Sequence, residues 1–101
     1  MAGGAPHCFL KTKTQRFKRH FFVVNDGLIN FYRRAEDPRP VQTHPILQAH
    51  IRIAKSQRVE EDKREPHVLY PIQVDVPPDR TRLLYFESEE LRDICLEMLL
   101  G

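Results

Sequence analysis

The sequence predicts a mainly β domain of 101 residues, a seven-stranded sandwich or partly open barrel capped by one C-terminal α-helix. Three observations carry this reading. Runs of β-branched and aromatic residues flank an Asp26-Gly27 pair, several later segments alternate apolar with polar residues, and one apolar stripe at helical spacing ends the chain.

The segment Phe17-Lys18-Arg19-His20-Phe21-Phe22-Val23-Val24, then Asn25-Asp26-Gly27, then Leu28-Ile29-Asn30-Phe31-Tyr32-Arg33-Arg34 reads as a basic, aromatic-rich hairpin. Gly takes φ > 0 without steric cost, and the tight turn it permits follows the twist of the two strands. Leu47, Ala49, Ile51 and Ile53 alternate with Gln48, His50 and Arg52, the period-2 pattern of a half-buried strand. A short further strand is expected over residues 55–59, and residues 60–66 form a charged loop. Val68, Tyr70, Ile72, Val74 and Val76 share one face of the next strand, where Pro71 points to an edge or a bulge because it has no N–H for the ladder. Pro77-Pro78-Asp79-Arg80 makes a turn, and Leu83 and Tyr85 alternate with Arg82, Leu84 and Phe86 in the last strand. Ser88 is the expected helix N-cap, with Glu89 and Glu90 at the positive end of the helix dipole. Leu91, Ile94, Cys95, Met98 and Leu99 then fall at i, i+3, i+4, i+7 and i+8, a stripe expected to bury against the sheet. Cys95 is accordingly a core residue and not a nucleophile.

Length allows one domain, residues 7–101, after a flexible N-terminus of residues 1–6. No stretch approaches the roughly 20 apolar residues that cross a bilayer, and Met1 to Pro6 has neither the basic start nor the apolar core of a signal peptide. Two cysteines, Cys8 and Cys95, fit a reducing compartment, so a cytoplasmic location is expected, peripheral at a membrane or the cytoskeleton.

The net charge of +2 hides a polarised chain. Residues 1–34 carry seven cations and one acid, whereas residues 35–101 carry nine cations and thirteen acids. Lys18 and Arg19 begin one strand of the hairpin and Arg33 and Arg34 end the other, so antiparallel pairing brings them to one edge, where an anion could be received. The plain alternative is a set of solvated strand ends. Arg80 and Arg82 lie in the acidic half and are expected to matter little for such a patch.

The chain resembles a pleckstrin-homology domain over nearly its whole length. Cys8-Phe9-Leu10-Lys11-Thr12 stands for the family's first strand and supplies the seventh strand of the count. Phe17 to Val24 stands for the aromatic-Lys-Arg-x-aromatic-Phe-Val-Leu second strand, Leu28 to Tyr32 for the third, and Glu87-Ser88-Glu89-Glu90-Leu91-Arg92 for the start of the C-terminal helix. Cys95 falls at the family's near-invariant Trp, and the chain has no Trp, which implies a divergent member or a relative in the wider superfold, such as a phosphotyrosine-binding-like domain. Ile94, Met98 and Phe86 are expected to fill the lost volume.

The resemblance implies binding of anionic, phosphoinositide-type phospholipid at a membrane surface, through Lys11, Lys13, Arg16, Lys18, Arg19, His20, Arg33 and Arg34. Lys18 stands at a family phosphate-binding position. His20 stands where the family has Arg, Thr12 falls at the first-strand Lys with Lys11 and Lys13 beside it, and Phe31 replaces the family's Tyr. A guanidinium grips phosphate bidentately and stays charged, whereas His is mostly neutral near pH 7. The expectation is weak, charge-driven and salt-sensitive attraction, each cation contributing on the order of 1 kcal/mol, rising in acid as His20 titrates near its ordinary value of about 6.5.

The rival class is protein recognition, by a peptide or a cytoskeletal or signalling partner, along a sheet edge or beside the helix. Phe21, Phe22, Phe31 and Tyr32 cannot all face one core on alternating strands, so some should be exposed. Other classes are disfavoured. His7, His20, His44, His50 and His67 show no metal-ligand spacing, and there is neither a Gly-rich phosphate loop nor a Gly-x-Ser-x-Gly turn, so neither cofactor nor catalysis is expected. Nucleic-acid binding is not expected either, because the aromatic-sheet RNA motif is missing and the second half is acidic. The reading is a non-catalytic targeting or adaptor module, monomeric and part of a larger protein.

Overall fold

The computed structural model describes residues 6–61 and 65–101. Eight antiparallel strands precede one helix: β1 (His7–Lys11), β2 (Phe17–Asn25), β3 (Leu28–Tyr32), β4 (Gln42–Pro45), β5 (His50–Ile53), β6 (Gln57–Val59), β7 (His67–Val76), β8 (Arg80–Phe86) and α1 (Glu89–Leu100). The strands run in the order β4-β3-β2-β1-β8-β7-β5, with β6 paired to the first part of β7. Among the described residues β4 and β5 remain edges, so the sheet is not closed. The strand count is therefore eight, not seven: Gln42-Thr43-His44-Pro45 pairs with β3 although its sequence carries no apolar alternation.

Asp26 and Gly27 both take positive φ, 52° and 74°, and Asn25 pairs with Leu28, which defines the two-residue hairpin turn the sequence predicts. The left-handed φ at Gly27 favours glycine, and a Cβ there would lie 2.5 Å from Leu47 Cγ and push that exposed side chain aside. That approach accounts for a departure from the pattern. Leu47 was expected on a strand face, but it lies over the hairpin turn, 83% exposed, and β5 begins only at His50.

Alternation serves both faces of the central strands. Cys8 and Leu10 of β1, Phe22 of β2, Ile29 and Phe31 of β3, Ile72 and Val74 of β7, and Leu84 and Phe86 of β8 form the main core with Cys95 and Leu99 of α1. Residues of the other parity, Leu69 and Tyr85, join Val59 in a second cluster against Phe9, Phe17 and Leu83. Pro71 sits in a central strand rather than at an edge, yet costs no ladder bond. Its carbonyl accepts from Ala54 N–H at 3.1 Å, between the stretches of β7 that pair with β5 and with β6, so the missing N–H faces a break between partners.

Ser88 caps α1, its hydroxyl oxygen accepting from Leu91 N–H at 3.2 Å. The helix buries a narrower face than its stripe predicts: Cys95 and Leu99 are buried, whereas Leu91, Ile94 and Met98 are exposed, Ile94 by 58%. Ile94 and Met98 therefore do not fill the place of an absent Trp; Phe86 is in the core and the small Cys95 seats the helix against it. No described helix is long and apolar enough to cross a membrane. Residues 1–5 of the expected flexible N-terminus and 62–64 of the charged loop lie outside the described residues, while the Pro6 carbonyl accepts from Phe22 N–H at 3.1 Å, beside the β1–β2 ladder.

Candidate anion-binding cleft

The β1–β2 connection is a tight turn at which Thr12 and Arg16 still pair. Thr12 N–H donates to the Arg16 carbonyl at 2.7 Å, and Gln15, at φ 65°, donates its N–H to the Thr12 carbonyl at 2.9 Å. Arg16 N–H donates to Thr12 Oγ1 at 3.2 Å. Those three backbone donors are committed to the turn and do not face an anion there.

Beside this turn opens a cleft of about 630 Å³. Among the described residues six cations line it, Lys11, Lys13, Lys18, Arg19, Arg33 and Arg82, together with His20, Thr12, Gln42 and the apolar Leu10 and Val41, and no carboxylate does. Strand parity explains the selection. Lys18 and His20 share the alternation of Phe22, Arg33 that of Phe31, and Arg82 that of Leu84, so four basic side chains follow the core-facing residues past the end of the core. Lys11 borders the cleft from the other parity, its ammonium 5.6 Å from the Phe17 ring centre. Arg19 also borders it.

Two of the eight expected residues fall away. Arg34 is exposed on the alternate parity, its backbone N–H donating to Asp37 Oδ2 at 3.2 Å. Arg16 lines a different hollow of about 460 Å³, with Phe17 and the acidic Glu60 and Glu61. Adjacent charges in sequence are expected to act together, but neighbours in a strand point to opposite faces, and at Arg33-Arg34 the doublet divides, whereas Lys18 and Arg19 both reach the cleft.

His20 is a buried wall of the cleft, 8% exposed, with Nδ1 donating to the Lys18 carbonyl at 3.1 Å. Burial lowers its pKa below the ordinary histidine value; the carbonyl bond opposes this, and the charges of Arg82, Arg33 and Lys18 lower it further. The ring is neutral at pH 7, with the proton on Nδ1. The acid-driven gain expected of His20 near pH 6.5 is thereby moved to lower pH.

Arg82 is the residue that sequence reasoning missed. It is expected from the sequence to matter little, yet it lines the cleft, and its Nε is buried with no hydrogen-bond partner among the described residues. No carboxylate among the described residues is paired with it. Burial lowers its pKa from the usual value, and its charge in turn lowers those of His20 and His44. Its alternation with Leu84 and Phe86 was visible in the sequence; the pairing of β8 beside β1, at Phe9 and Tyr85, was not.

Of the four hairpin aromatics, Phe22 and Phe31 are core, while Phe21 and Tyr32 pair across the strands on the other face and are half-buried. The two thiols are buried; desolvation raises Cys8 far above the ordinary value and pushes Cys95 up to about 12, so neither is a thiolate near pH 7. No group of three or more metal-ligating side chains occurs among the described residues. Comparison of the chain with family models, with curated proteins and with solved structures gave no match.

Proposed function

We propose that this chain is a non-catalytic, pleckstrin-homology-like module whose cleft takes the anionic headgroup of a membrane phospholipid, of the phosphoinositide type, at the cytoplasmic face of a membrane. The observation that carries the reading is the gathering, among the described residues, of six cations and no carboxylate around one cavity of about 630 Å³. Like charges held together in this way are unfavourable without an anion, and a headgroup phosphate supplies it. The reading draws support from an antiparallel sheet followed by one capped C-terminal helix, the element order the resemblance implies.

A second reading has its own support. Leu91, Ile94 and Met98 form an exposed apolar row on α1, the kind of surface a protein partner covers in an adaptor. Sedimentation with neutral and acidic vesicles over a salt series separates the two. A lipid module binds acidic vesicles, releases them as salt rises, and loses them on joint Lys18→Glu and Arg33→Glu substitution, while Arg16→Glu with Arg34→Glu has little effect. Equal loss from both pairs reduces the cleft to net charge alone; no vesicle binding at low salt moves the function to a protein partner.

A further inference from the structure

We propose that Arg82 is the specificity-determining contact of the cleft, its guanidinium receiving a phosphate group of the ligand that the lysines beside the turn attract but do not orient. This rests on the anion-binding reading above and names the residue that turns attraction into recognition.

The argument begins with what Arg82 lacks. Its Nε is buried without a partner and no described carboxylate reaches it. The two nearby groups that could become anions do not compensate it: burial holds the Cys8 thiol and the Tyr85 phenol in their protonated forms, each pKa raised. Its other charged neighbours, Lys18 and Arg33 along the cleft wall, carry the same sign. A guanidinium stays protonated under these conditions, so the free protein keeps a partly desolvated, uncompensated cation at the inner wall of an open cleft. Such a group costs stability. An anion entering the cleft removes that cost, and it does so away from bulk solvent, where salt screens least.

Geometry adds a second reason. Arg presents a planar fork that matches two phosphate oxygens, whereas Lys13 and Lys18 offer exposed point charges on flexible stems. His20 is neutral and occupied with the Lys18 carbonyl. Arg19 and Arg33 also line the cleft, but among the described residues only Arg82 has a buried guanidinium nitrogen without a partner, which singles out the fork arriving from β8.

The test uses the whole chain with vesicles of two matched charges, one bearing a lipid with a terminal phosphomonoester and one an anionic phosphodiester lipid, and with free inorganic phosphate in a third arm. Arg82→Lys keeps the charge and removes the fork; Arg82→Met removes both while filling the same space. The expected result is preference of the native chain for the phosphomonoester vesicles, reduced about tenfold by Arg82→Lys, with the thermal midpoint of Arg82→Met unchanged or raised. A role in folding alone would lower that midpoint instead. The Arg82 Nε–H resonance should shift with phosphate and with the phosphomonoester lipid, but not with chloride at equal ionic strength; a shift with free phosphate and none with vesicles assigns the contact to a soluble phosphate. Vesicle binding that is indifferent to both substitutions overturns the role of Arg82 and leaves the lipid reading standing. Absence of vesicle binding together with an unmoved Nε–H in phosphate overturns both.

Discussion

Two half-buried arginines occupy opposite situations in this fold. Arg92, on the first turns of α1 with its side chain 12% exposed, lies 2.9 Å from Asp93 and 3.8 Å from Glu89. Arg82, on β8, faces a cleft in which no described residue places a carboxylate, and keeps a buried Nε without a partner among the described residues. Among the described residues the acidic half of the chain supplies counter-ions to the helix and none to the cleft. A charge neutralised within its own helix is a finished structural arrangement, whereas one left among like charges is poised for something from outside.

The sharpest test of what this fold tolerates places a lone charge where neither arrangement exists. Cys95→Asp buries a carboxylate against the main core and is expected to destabilise by about 3–5 kcal/mol in chemical denaturation, while Leu100→Asp, at an exposed position, costs under about 0.5 kcal/mol. Similar losses from both would show that the helix does not pack as described.

Next in size is the effect of reversing charge in the two regions. Lys18→Glu with Arg33→Glu changes four charge units at the cleft and should remove roughly 2–4 kcal/mol of attraction to acidic vesicles. Glu89→Lys with Asp93→Lys changes as many at the helix and should leave vesicle binding near the native level. An equal change of opposite sign from the helix pair would mean that total charge, not the cleft, governs binding.

Acid affects the two regions differently as well. His20, buried, and His44, half-buried, have folded pKa values below the ordinary 6.5, first because of desolvation and then because of nearby cations that include Arg82. The folded state therefore binds fewer protons than the unfolded state. Their contribution to stability is complete above about pH 6.5, and it is lost as pH falls through that value toward the folded pKa. The urea midpoint should fall over that interval, and His20→Gln should flatten the slope. A midpoint that holds constant from pH 7 to 5 would mean that His20 is not buried beside these cations.

The smallest effect concerns Arg92 itself. Its partners Glu89 and Asp93 are largely exposed, so Arg92→Ala should cost no more than about 1 kcal/mol and leave vesicle affinity unchanged. Loss of binding in that variant would join the helix to the binding surface.

Much of this was legible in the sequence. The Asp26-Gly27 turn and the Ser88 cap are local chemistry: each depends on residues within a few positions, and both formed as read. Six of the eight expected cleft residues are lining residues for the same reason, since one hairpin and one turn carry them. What could not be read depends on contacts between distant segments. β4 has no apolar pattern because an edge strand needs only backbone pairing with β3. The face that α1 buries was decided by the sheet it meets, which reaches Cys95 and Leu99 and not Leu91 or Ile94. Arg82 joined the cleft only because β8 lies beside β1.

That last adjacency also sets when the cleft can exist. β1–β2, β2–β3, β3–β4 and β7–β8 are ladders between neighbouring segments, closed by short connections, whereas β1–β8 joins residues 9 and 85. Contacts so far apart carry a large loop-closure entropy and tend to form late in folding. A partly folded chain can hold Lys18 and Arg33 together on the early meander while Arg82 is still elsewhere. On the proposal that phosphate seats at Arg82, millimolar phosphate should slow unfolding more than it speeds refolding, because that contact needs β8 beside β1.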